Sequence, residues 1–191
     1  MVFLESQARP LLLLHAVLGA ATVATTTHLV VWTWKTLAGR SRVAGLRWFG
    51  VVSIAVFAAQ FAAGNLLYPT YKVRVRAEFL DAPRVQADEL RLRAAARADL
   101  AAREGLPAPV LSDHEPPALQ GVARLFDVKE HLVALALPFA AAACALALAW
   151  RPERDGPMLG RLLLGCALIV AGSAWFAALV GLWTASYRAV G

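Results

Sequence analysis

The sequence predicts an all-α fold: a four-helix transmembrane bundle with a long, partly helical polar segment between its second and third spans. Three observations predict it. Of the residues, 59% are hydrophobic and only 17% are charged, far from the balance of a water-soluble domain. Four apolar runs, 11–34, 48–68, 131–150 and 159–183, approach or exceed the ~20 residues that a helix rising ~1.5 Å per residue needs to cross ~30 Å of hydrocarbon. Arginines and tryptophans collect where these runs end, as headgroup regions favour. The 191 residues form a single integral membrane domain, with no length left for a soluble catalytic domain beside the spans.

The first span follows a short tail, and Pro10 suits its opening turn. Its apolar stretch is longer than a signal-peptide core and Glu5 precedes it, so it reads as a retained helix. A basic hairpin through Lys35, Arg40, Arg42 and Arg47 leads to the second span, which begins at Trp48 and is expected to stop at Tyr68, before Pro69. The extramembrane segment 70–129 has three parts. Val73 and Val75 alternate with Lys72, Arg74 and Arg76, as in a short strand or a surface-lying helix. Residues 83–105 are a strong helix candidate, with i,i+4 pairs Arg84–Asp88, Glu89–Arg93 and Asp99–Arg103. Residues 106–121 are a proline-interrupted loop. The third and fourth spans follow, joined by a short turn holding Pro152 and Pro157.

Alternation places both short turns on one side of the bilayer, and both termini with the long segment on the other. Trp32, Trp34, Trp48 and Trp150 then mark one interface, and Tyr68, Tyr71, Trp183 and Tyr187 the opposite one. Both faces carry arginines and lysines. Because long loops weigh less in the positive-inside rule, the short turns are assigned to the cytoplasm, and the setting to a bacterial cytoplasmic membrane. The formal charge of +6 is explained by headgroups and loop bias. No nucleic-acid-binding pattern is present.

Polar side chains inside a bilayer are costly and usually face the bundle interior. His15 and His28 lie on the first span, Gln60 and Asn65 on the second, and Glu130 and His131 at the mouth of the third. His15 and His131 fall at similar height. Steps of three and four from His15 meet Gly19, Thr22 and Thr26; from His131 they meet Ala134, Pro138, Ala141 and Ala145. Small residues mark faces along which membrane helices approach, so both imidazoles are expected to point inward. Two inward imidazoles at one height are the arrangement that holds a b-type haem, with Lys72, Arg74, Arg76 and Lys129 available to the propionates and Tyr68 nearby.

On these residues and its helix count the chain is similar in architecture to the four-helix b-type cytochrome subunits that pass electrons between a redox partner and quinone. The resemblance implies haem b held by His15 and His131, with quinone and other membrane subunits as partners. His28 has no histidine partner at its own depth, so one haem at most is implied; it reads as an interfacial side chain near Trp32.

Simpler roles fit the other polar groups. Asp127 followed by Glu130 fits an N-terminal capping pattern. Gln60 and Asn65 read as interhelical glue, Cys144 and Cys166 as small apolar packing, and His114 as a solvated loop residue. No zinc-protease, phosphate-loop or nucleophile-elbow motif occurs. The alternative reading is a non-catalytic accessory subunit that docks a larger membrane complex through 83–105.

Overall fold

The computed structural model describes residues 4–40, 43–105 and 119–187. Among these the regular elements are helical. A single 3₁₀ turn, Glu5–Gln7, leads into α1 (Ala8–Leu37). Then come α2 (Val43–Thr70), its direct π-helical continuation (Tyr71–Leu80), and α3 (Pro83–Arg103). After the undescribed stretch follow α4 (Leu119–Ala149), the short α5 (Pro152–Asp155) and α6 (Pro157–Tyr187). Four helices are long and apolar enough to cross a membrane: the chain has the makings of an integral membrane protein.

The four long helices pack as a ring. α1 lies against α2 and α6, and α4 lies against α6 and α2, so α1 and α4 are diagonal partners. The faces they bury are small. α1 contributes Thr22, Thr26, Leu29, Thr33 and Thr36, and α4 contributes Ala136, Ala140, Ala143 and Ala147. Each buried threonine on α1 donates its hydroxyl proton to the carbonyl four residues back, as Thr26 does to Thr22 at 2.7 Å and Thr33 to Leu29 at 2.7 Å. The hydroxyls are thereby satisfied within their own helix, and the face offered to neighbours is close to that of valine. Leu13, Leu135, Leu168, Leu179 and Leu182 point outward, where only hydrocarbon would cover them.

Every span outruns its apolar run, because backbone hydrogen bonding does not stop where hydrophobicity does. The second does so most. The stop expected at Pro69 does not occur: the helix passes through it, and the ladder changes to i→i+5 spacing, so that Asp81 N–H returns to the Arg76 carbonyl at 2.8 Å. The strand alternative for 71–81 is thereby excluded. Tyr71, Val75, Phe79 and Leu80 are buried against Val122, Ala123 and Phe126 of α4. α4 likewise begins at Leu119, ahead of the apolar run expected to start at His131. Together these extensions make a two-helix stalk beyond the apolar bundle.

α3 confirms the helix expected for 83–105, with Pro83 in its first turn. Asp99 and Arg103 pair at 2.8 Å, while Asp88 meets Arg91 at 3.7 Å instead of Arg84. The side chains of Glu89 and Arg93 lie outside the described set, as do His114 and most of the loop expected at 106–121. At the opposite end Trp150 is buried within the protein. Its indole donates to the Gly156 carbonyl at 2.9 Å and lies over Gly160, where a Cβ would sit 2.5 Å from the ring.

Candidate functional site

The polar groups gather at the stalk end of the bundle. His15 projects from α1 onto α2, where Gln60 Nε2 lies 3.2 Å from His15 Nε2. Gly64 lets the ring come close: a Cβ there would sit 3.0 Å from His15 Cε1. Donation from the amide makes Nε2 the acceptor and leaves the imidazole proton on Nδ1. That Nδ1 is buried and unpartnered, as is Gln60 Oε1.

One level up, Tyr71 stacks on Phe126 with ring centroids 3.7 Å apart, and Tyr68 stacks on Tyr71 at 6.5 Å. Lys129 Nζ lies 3.8 Å from the Phe126 centroid, and Lys72 Nζ 5.9 Å from that of Tyr68. Arg76 is held by Asp127 from α4 and by Asp81 at 3.4 Å. Asp127 lies well inside α4, so its role is this cross-stalk ion pair and not the helix cap expected for it. Arg74 is shared between Glu78 of its own helix at 2.9 Å and Glu5 at 2.6 Å, which ties the start of the chain to the stalk.

His131 is placed differently. Its Nδ1–H donates to the Asp127 carbonyl at 2.8 Å, and the ring is exposed in a shallow recess lined by Asp127, Val128, Leu132 and Leu135. The face expected to be buried, through Ala134, Pro138, Ala141 and Ala145, is also exposed. The buried face of α4 runs through Ala136, Ala140, Ala143 and Ala147 instead. Alanine occupies both sides of this helix, so small residues alone do not distinguish them. Consequently the structure brings His15 together with Gln60 and Gly64, and leaves His131 on an outer face. Among the described residues no hydrogen bond or ring contact joins the two imidazoles, and no group of three or more His, Cys, Asp or Glu is set to hold a metal.

Of the remaining polar residues, Gln60 does bridge two helices, whereas Asn65 is exposed and donates to its own Phe61 carbonyl at 2.9 Å. His28 is an exposed ring stacked on Phe49 at 5.1 Å, near Trp32. Sequence reasoning gave no separate role to the Tyr71–Phe126 stack or the Arg76–Asp127 pair. The four-residue spacing of Tyr71, Val75 and Phe79 was the available signal. Comparison with known proteins adds no identity: no family model, no curated protein and no solved structure matches this chain.

Proposed function

We propose that this chain is a non-catalytic subunit of a larger membrane complex, docked through α3. One observation carries the reading. α3 packs on the π-helical part of the stalk and leaves Val85, Leu92 and Leu100 exposed, Leu92 at 71%, on a helix too charged to lie within hydrocarbon. Apolar side chains held out on a charged helix beyond the bundle favour a partner surface. The test is purification of the tagged full-length chain from its own membranes in mild detergent. A stoichiometric complex is expected, reduced to the single chain when 83–103 is replaced by a flexible linker. A full-length chain that elutes alone at every stage ends this reading. The proposed setting is a bacterial cytoplasmic membrane with the short turns inside.

A second reading keeps a redox role, with haem b or quinone as the ligand. It is favoured by His131, whose Nδ1–H is tied to a backbone carbonyl while Nε2 stays open at the edge of the apolar zone. Axial ligation by both His15 and His131, with Lys72, Arg74 and Lys129 near the propionates and Tyr68 beside them, requires the Gln60 contact to open and α4 to turn. A Soret band in extracted protein, lost in His15→Ala and in His131→Ala, supports haem. A colourless, folded preparation after haem supplementation removes it.

A further inference from the structure

Along α2 and its continuation, Arg47, Ser53, Gln60 and Tyr71 follow one another from the short-turn end of the bundle to the stalk. Each has a buried polar atom without a hydrogen-bond partner: Arg47 Nε, Ser53 Oγ, Gln60 Oε1 and Tyr71 Oη. His15 Nδ1, beside Gln60, is the fifth. Ser53 is only 2% exposed and Tyr71 4%. Buried polar atoms in folded proteins are satisfied, and where protein groups do not serve, water does. In hydrocarbon the demand is stricter still.

Neighbouring hydroxyls extend the series. α1 and α2 run antiparallel, with Gly19 set against Gln60 and Trp32 against Gly45. That register brings Thr22 and Thr26 alongside the stretch of α2 from Ser53 to Phe57. Thr22 and Thr26 are buried, and each has donated its proton to its own helix, at 2.8 and 2.7 Å. Their oxygens keep lone pairs for a second partner. Seven residues of helix separate Ser53 from Gln60, about 10 Å, with Phe57 buried between them against Ala136, Ala140 and Val170.

We propose that this series of side chains holds a file of waters through the bundle and that the file conducts protons. His15 Nδ1–H donates to a water and Gln60 Oε1 accepts from one, so the pair orients the file near its stalk end. Ser53, Thr22 and Thr26 position waters at mid-membrane. Each transfer breaks one O–H bond and forms another between adjacent waters. One proton enters at one end for each that leaves at the other, and no co-reactant is needed. Hydroxyls and amides spaced in this way suit water, and they lack the converging carboxylates that would coordinate a metal cation.

The experiment places the full chain in liposomes enclosing a pH-sensitive dye, with proton entry driven by a potassium diffusion potential. Wild-type vesicles are expected to acidify several-fold faster than protein-free ones. Ser53→Leu and Gln60→Leu each remove a hydrogen-bonded link from the route, and the rate should fall roughly tenfold. Leu179→Ala, on the outer face, should match wild type. Wild-type vesicles no faster than empty ones overturn the proposal, as do leucine variants that conduct normally. Should those variants misfold, Ser53→Cys in a Cys144→Ala, Cys166→Ala background reads hydration directly. Reaction with aqueous Ag⁺ in the native bundle is expected. A cysteine that reacts only after denaturation contradicts the water file.

Discussion

Gly160 and Gly165 stand on the same helix and should answer oppositely to one added methyl group. At Gly160 a Cβ would lie 2.5 Å from the Trp150 ring and 2.7 Å from Leu37 Cδ2, both in the packed short-turn core. Gly160→Ala should therefore cost about 1–3 kcal/mol, the usual penalty of overpacking. At Gly165 nothing lies within 4 Å, and Gly165→Ala should stabilise by about 0.5–1 kcal/mol through helix propensity. Thermal unfolding in detergent separates the two; equal shifts would contradict the packing described. The same scale holds an acid group in the second short turn whose ionisation is perturbed. Hydrogen bonds from the Arg154 side chain and the Arg151 backbone N–H hold the Asp155 carboxyl below its ordinary range. A depressed carboxylate supports the fold at neutral pH and loses that support as pH falls through its lowered value. The α5 turn should therefore loosen in acid, below the range where an ordinary carboxylate titrates, seen as faster amide exchange at Arg151.

At the scale of elements, the stalk is the feature the composition hides. Val73 and Val75 among three basic residues resemble an alternating strand, and Pro69 resembles a stop. Packing overrides both: a π-helix presents Tyr71, Val75 and Phe79 to α4, and Arg76 meets Asp127 across the seam. Asp127→Ala leaves the partly buried Arg76 guanidinium with only its longer contact to Asp81. The expected loss is about 1–3 kcal/mol, as for a half-buried charged hydrogen bond, and Arg74→Ala, at its solvent-screened pairs, should lose less. Limited proteolysis after Phe79 and Leu80 reports the difference, because the stalk must open before the chain is cut. Equal protection in both variants would show that the seam is apolar packing alone.

At the scale of the whole molecule, the bundle is two helical hairpins, α1–α2 and α4–α6, joined by the long segment that carries α3. The hairpins bury faces against each other along α1–α6 and α2–α4. Chain fragments 1–105 and 119–191, expressed together, should therefore assemble and co-elute from detergent. Fragments that purify separately would show that the connection, and not the packed faces, holds the bundle.

Hydrophobicity summed over ~20 residues makes a span legible without coordinates, because the bilayer imposes length and apolarity on each helix separately. The number of spans, the all-α class and the α3 helix were determined in this way by the sequence itself. So was the placing of His15 on the inward face of α1, since steps of three and four from it meet Gly19, Thr22 and Thr26. Which face of α4 is buried was not legible, because alanines surround that helix and leave its rotation to its neighbours. Tertiary packing alone turned His131 outward, gave His15 to Gln60, and carried the helix past Pro69 into the stalk. Rotation, pairing and helix ends depend on contacts between elements, and a pattern read along one helix does not contain them.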